Sequence, residues 1–361
     1  MKATPLLTGW TCRHLGDTAP GRPVTLPHDA MLAEPRTALS AGGVNTGWYE
    51  GYDYEYQRTL TVPENELSDT HILEFEGVYH NAEVWLNGQK AAFRPYGYTN
   101  FYVDCAPFLR AGDNELRVIA RNADQPNSRW YSGAGLYRPV QLWTAGDKHI
   151  LLNGVRIRTV SLEPAVVEIR VRTSAPGTVQ LMVEGLPTVR KESDGEAVFM
   201  LTIDNARLWT PETPNLYRCR VQFADDEAVE TFGARTVSWG KNGFTLNGER
   251  VIIQGACIHH DNGLLGAVCD LDAVARKVRL LKETGYNAIR SAHNPCSKAL
   301  LAECDRQGML VMDEYIDHWY IHKTEYDYVP YFAEWWRQEL TDMVEKDYNH
   351  PCVVLYSTGN E

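Results

Sequence analysis

The hydrophobic period of this chain changes once, near Gly240, and that change limits what it can fold into. Before it, short runs alternate apolar and polar residues with period two, the mark of half-buried strands. After it, short apolar runs take turns with stretches whose apolar residues recur every three or four positions. Ala82-Glu83-Val84-Trp85-Leu86 leads into Asn87-Gly88, a hairpin signal because both turn residues tolerate positive φ. Leu116, Val118 and Ala120 share one face of another alternating run. This spacing predicts a β jelly-roll sandwich over residues 1–147. Residues 148–238 continue the pattern, with Val167, Ile169 and Val171 in one run and Tyr217, Cys219, Val221 and Phe223 in another. They predict a smaller immunoglobulin-like β-sandwich, interrupted by the Pro-broken loop Leu208 to Pro214.

Residues 239–361 read as alternating strands and helices, hence as a parallel sheet with helical crossovers. The expected strands are Val251 to Gln254, Asn287 to Arg290, Met309 to Met312 and Cys352 to Ser357. The first helix has Asp270 as N-cap, then Leu271, Val274, Val278 and Leu281 on one face, with Gly285 beyond its end. The second spans Ser297 to Gln307 and stops at Gly308. Phe332, Trp336, Leu340 and Met343 mark the third. Four such units make the first half of a (β/α)8 TIM barrel, a fold that takes about 250 residues when whole. The fold class is therefore multidomain: jelly roll, immunoglobulin-like sandwich, half-barrel.

The net charge of −12 argues against nucleic acid or an anionic membrane as a partner. No apolar stretch is long enough to span a bilayer, and the opening MKATPLLTGW lacks a signal peptide's apolar segment. The eight cysteines are scattered without a CxxC pair, which reads as reduced, buried thiols of a cytoplasmic protein.

Polar residues cluster after each expected strand: His259, His260 and Asp261; Arg290, His293 and Asn294; Asp313 and Glu314; Asn360 and Glu361. In a barrel the C-terminal strand ends carry the chemistry. Retaining glycoside hydrolysis needs two carboxylates about 5–5.5 Å apart, with hydrogen-bonding groups for sugar hydroxyls. Blander readings stand beside this one. A terminal Glu361 is by itself a solvated carboxylate. The histidines, with His318, could hold a metal, though no HExxH or Cys/His spacing supports that. Arg290 could pair with a carboxylate under the rim, and Asp313-Glu314 could be structural. Trp335-Trp336 reads as helix core, His350-Pro351 as the turn into the fourth strand, and Cys257 as a buried thiol.

Five stretches carry a resemblance: GWYEGYDYEYQRTLTVPE, FEGVYHNAEVWLNG, NSRWYSGAGLYRPVQLW, NAIRSAHNPCSKALLAECDRQGMLVMDE and KDYNHPCVVLYSTGNE. With them the chain resembles glycoside hydrolase family 2, the β-galactosidase and β-glucuronidase family. The resemblance implies the same three domains and a retaining β-glycosidase acting on β-galactosides or related β-glycosides. It makes Glu361 the acid/base, Asn360 the 2-hydroxyl contact, and His259 and His293 the sugar-binding histidines. Asp261 would line the sugar subsite, and Arg290 would help position the nucleophile. The alternatives it leaves are a β-glucuronidase and a non-catalytic carbohydrate-binding fragment. No cofactor is expected. The divalent-cation site of some β-galactosidases uses an acid and a histidine soon after the Asp-Glu pair; DEYIDHWY (Asp313 to Tyr320) does not match that spacing cleanly, which leaves a divalent cation as the alternative. The partner implied is a β-linked sugar, with a homo-oligomer as the full enzyme. The family's nucleophile, on a seventh strand, has no counterpart in these 361 residues, so the chain is expected to be inactive alone and to associate through its open sheet edge.

Overall fold

The structure, a computed structural model, describes residues 1–241 and 243–361. The first unit is an antiparallel sandwich. Its six-stranded sheet runs, in spatial order, Arg22–Val24, Trp10–His14, Tyr54–Val62, Gly112–Ala120, Ala82–Leu86 and Gln89–Arg94. The facing sheet holds Lys2–Pro5, Val140–Ala145, Thr70–Phe75 and Phe101–Asp104. Leu116, Val118 and Ala120 are all fully buried between the sheets, as their alternation demands. Asn87 and Gly88 turn the hairpin with φ of 50° and 78°, and Leu86 pairs with Gln89.

The second unit packs three strands (Ile150–Leu162, Ala165–Thr173, Glu196–Ile203) on four (Val189–Ser193, Gly177–Val183, Tyr217–Phe223, Asp226–Phe232). Val167, Ile169 and Val171 oppose Cys219 and Val221 in its core. A short hairpin sheet over Val237–Gly240, Gly243–Leu246 and Glu249–Arg250 leads into the third unit.

That unit is a parallel sheet of four strands in chain order: Gly255–Ile258, Ala288–Ser291, Leu310–Glu314 and Val353–Ser357. The crossovers are α1 (Leu271–Glu283), α2 (Lys298–Gln307) and α3 (Val329–Asp347). Asp270 and Ser297 cap α1 and α2 by accepting from the amides of Ala273 and Leu300.

The structure departs from expectation in three places. The first barrel strand is Gly255–Ile258, and Val251 to Gln254 only approach it. Parallel pairing with Ala288–Ser291 begins at Gly255, where a Cβ would come within 2.9 Å of the Ala288 carbonyl oxygen. Ile252 and Ile253 are 69 % and 42 % exposed, so neither is a core residue here. Leu271 is 68 % exposed as well; only Val274 and Val278 of that stripe are deeply buried. Of the Trp335-Trp336 pair, Trp336 packs against the apolar cluster of Phe332 and Met343 as expected, and Trp335 does not. Trp335 packs edge-on against Phe93 and under Arg94 of the jelly roll.

The three units are joined by buried polar contacts. Asp29 of the jelly roll accepts from the amides of Met31, Ala134 and Ala267 and from the Tyr131 hydroxyl, and Ala267 belongs to the first βα loop of the barrel. Arg138, 1 % exposed, donates to the carbonyls of Tyr98 and Pro295. Arg94 pairs with Asp342 of α3 at 2.8 Å. From the second sandwich, Trp209 inserts fully buried into the barrel's apolar cluster and donates Nε1 to the Asp305 carbonyl. Asp305 itself ties α2 to the fourth strand through His350 (2.5 Å) and the Cys352 amide (3.0 Å). Among the described residues no helix is long and apolar enough to cross a membrane.

Candidate functional site

All four strand ends open on one rim, because parallel strands in chain order present their C-terminal ends together. At its centre lies Glu314, fully buried at the end of the third strand. His293 Nδ1 lies 2.7 Å from one of its oxygens, the Arg290 guanidinium donates to both, and Ser357 donates to one at 2.7 Å. Desolvation alone would raise its pKa, but these bonds hold the carboxyl below its ordinary value, so it stays ionised. Arg290 reaches across to donate to the Asn360 side-chain oxygen at 2.7 Å. The second, third and fourth strand ends are thus one hydrogen-bonded unit.

His259 completes the floor from the first strand end. Its ring lies 5.9 Å from His293 and is stacked under Trp130 of the jelly roll at 4.9 Å. Burial lowers its pKa, which favours the neutral imidazole. Lys277 of α1 fastens the His259 and Asp261 carbonyls at 3.2 and 2.6 Å, leaving the half-buried Asp261 beside this group. The Trp130, His259 and His293 rings lie 4.9 to 5.9 Å from one another and form one aromatic face.

Glu361 stands at the tip after the fourth strand, with its side chain 44 % exposed. The tip is fixed by backbone bonds from Asn360 to Ile316 and from Glu361 to Asp317, and by Trp319 donating to Thr358. A Cβ on Gly359 would meet Trp319 Nε1 at 2.6 Å, so only glycine lets the tip pass this close. Lys323 Nζ lies 2.7 Å from the Glu361 carboxylate and Arg129 3.3 Å. The Lys323 hydrogen bond, then the Arg129 charge, lower its pKa, so it is an anion at neutral pH.

Three rim candidates turn elsewhere. Asp313 is buried beneath the rim and accepts from the Cys296 amide. Asn294 is fully buried. His260 points into the jelly-roll contact, packed against Tyr98 and Tyr137, 3.3 Å from the Ser132 carbonyl. Burial there pushes its pKa down to about 3, from 6.5 for a free ring. The unfolded chain therefore binds a proton between those values that the fold excludes. Stability is full above pH 6.5 and falls as the pH drops below it, by about 1.4 kcal/mol per unit for this histidine. In urea titrations between pH 7 and 5, His260→Asn is expected to flatten the pH slope by about one proton's worth; an unchanged slope would refute this.

The divalent-cation position tests poorly. The acid and histidine after Asp313-Glu314 are Asp317 and His318. Arg129 donates to both oxygens of Asp317, and Asn360 donates to it at 3.0 Å. Both ring nitrogens of His318 face carboxylates, Asp317 at 3.2 Å and Asp327 at 3.2 Å. Burial works against its charge, yet those hydrogen bonds lift its pKa to about 9, which makes it an imidazolium and no ligand. The donor set does not fit a cation.

Sequence reasoning brought His259, Asp261, Arg290, His293, Asn360 and Glu361 to one rim but assigned no role to Arg129, Trp130, Asp317 or Lys323. The first two lie in NSRWYSGAGLYRPVQLW, a stretch singled out for resemblance and not for its place in the site.

Three family models match this chain in order. Residues 24–158 match a glycosyl hydrolase 2 galactose-binding domain-like model, residues 154–235 one for glycosyl hydrolases family 2, and residues 237–361 the TIM barrel domain of glycosyl hydrolases family 2. The β-galactosidase BoGH2A of Bacteroides ovatus is 37 % identical over 96 % of this chain and 45 % of its own length. A β-glucuronidase of Paenibacillus borealis is 27 % identical over 98 % of this chain and 64 % of its own. The crystal structure of a β-glycosidase from Bacteroides vulgatus superposes with a TM-score of 0.93 at 30 % identity, covering 100 % of this chain and 50 % of that one. The chain thus spans about half the length of such relatives.

Proposed function

The chain belongs to glycoside hydrolase family 2, and from that premise we propose that it is the sugar-binding and proton-donating portion of a retaining β-glycosidase acting on β-galactosides or related β-glycosides. The observation that carries this is the hydrogen-bonded unit of Arg290, Glu314, His293 and Asn360, with Trp130 over His259 beside it. His259, His293 and Asp261 hold the sugar. Asn360, fixed by Arg290 and Asp317, presents its carboxamide to the 2-hydroxyl, a contact that strengthens as the ring becomes oxocarbenium-like. Glu361 gives its proton to the departing oxygen and later takes one from water. That first role needs a protonated carboxyl, and a second carboxylate brought near would raise its pKa to supply one. Arg290 helps position that second carboxylate.

The β-glucuronidase of Paenibacillus borealis among the relatives keeps the glucuronide reading open as the second choice. A cytoplasmic location and a homo-oligomeric whole enzyme belong to the same reading; seven of the eight cysteines are buried, which suits a reducing compartment. Titration calorimetry with galactose and glucuronic acid tests the site. Binding is expected, with His293→Ala weakening it at least roughly tenfold, since a ring that contacts both sugar and Glu314 is lost. Affinity unaltered by His293→Ala, or no binding of either sugar, would remove the sugar site from this rim.

A further inference from the structure

Asp317 and Glu361 carry two negative charges at the rim, and a single group from another domain touches both. Arg129 donates Nε to Asp317 at 2.8 Å, a second nitrogen to its other oxygen, and a third to Glu361 at 3.3 Å. Asp317 in turn holds Asn360 through its side chain and Glu361 through its carbonyl. We propose that Arg129 is a positioning residue that bridges Asp317 and Glu361 by its own fixed charge, doing without metal what a divalent cation between two carboxylates would do.

The geometry suits the task. A guanidinium is planar, permanently charged and forked, so it can bind one carboxylate through two nitrogens and still present a third. A cation at this place would need the oxygens of Asp317, and those are occupied by Arg129, Asn360 and His318. Lys323 brings a further positive charge to Glu361. A divalent ion would enter among three positive groups. The bridge also makes the tip depend on the jelly roll, because Arg129 lies 188 residues from the carboxylate it grips. Arg129 touches no substrate atom; it acts through the Glu361 carboxylate, setting where that group stands and how readily it takes a proton.

The importance of the inference rests on Glu361 as the acid/base, but its test follows a carboxylate and not turnover, so the two can fail separately. The 361-residue chain is labelled with 13C at its glutamate carboxyls, and the Glu361 signal is identified by its loss in Glu361→Gln. In the unmutated chain, equimolar manganese chloride is expected to leave that signal as sharp as those of remote glutamates. In Arg129→Gln its titration midpoint is expected to rise by roughly half a unit to one unit, and Arg129→Lys, which keeps the charge, to retain a smaller rise. Selective broadening of the Glu361 signal by manganese in the unmutated chain would overturn the proposal. So would a midpoint in Arg129→Gln equal to that of the unmutated chain. The manganese arm needs no variant and stands whatever the stability of Arg129→Gln.

Discussion

Nitrophenyl β-galactoside and nitrophenyl β-glucuronide are expected to remain unhydrolysed by the 361-residue chain alone, at rates indistinguishable from buffer. Retention requires a nucleophilic carboxylate about 5–5.5 Å from the acid/base. Two rim carboxylates of this network, Asp317 and Glu314, are both committed. Asp317 is gripped by Arg129, Asn360 and His318, and these bonds hold its pKa well below the carboxylate range despite burial. Glu314 is buried under Arg290, His293 and Ser357. A carboxylate neutralised by three or four donors is a poor nucleophile. Glu361 meanwhile is ionised and has no proton to give at neutral pH. With no free nucleophile and no protonated acid in this network, the usual acceleration of about a millionfold or more is expected to be absent. Chromogenic assays at high protein concentration check this. Turnover that disappears in Glu361→Gln would show that the chain assembles a nucleophile by some other route.

The largest stability effect of a single side chain is expected at Trp209. Its indole leaves the second sandwich, lies fully buried in the barrel's apolar cluster and donates to the Asp305 carbonyl. A Cβ on Gly233 would come within 2.6 Å of the Trp209 Cβ, so glycine at that position leaves the side chain its room. Trp209→Ala removes the packing and leaves a cavity, at a cost of about 3–5 kcal/mol. Trp209→Phe keeps most of the volume and loses the hydrogen bond, a cost nearer 1–2 kcal/mol. Urea unfolding followed by circular dichroism separates the two. A loss below about 1 kcal/mol for Trp209→Ala would mean that the sandwich and barrel are held together mainly elsewhere.

Local chemistry made much of this fold legible. Val167, Ile169 and Val171 could only be one face of a strand, Asn87-Gly88 could hardly be other than a hairpin turn, and Asp270 accepts the amide its position promised. The first barrel strand was misplaced for a nonlocal reason. Val251-Ile252-Ile253 has the better strand composition, but pairing with Ala288–Ser291 selects Gly255–Ile258. The site divides in the same way. His259, Arg290, His293, Asn360 and Glu361 were readable because parallel strands in chain order bring their ends together. His260, next to His259, was not separable by sequence, since which of two neighbours faces the rim depends on the Tyr98 and Tyr137 rings 5.2 and 5.5 Å away. Arg129 and Trp130 reach the rim from a sandwich more than a hundred residues upstream, and no local pattern announces that.

The latch at Asp29 bears on how such proteins can be recombined. Its carboxylate serves amides on both sides of the jelly-roll–barrel seam, so the two parts have been fitted to one another. Exchange of the first sandwich between relatives would import a new acceptor without the Ala267 amide shaped to meet it, or leave that amide facing apolar side chains. A breeder of chimeras would therefore do well to carry the first βα loop along with the sandwich. The heritable block is set by the span of the latch and not by the visible gap between domains.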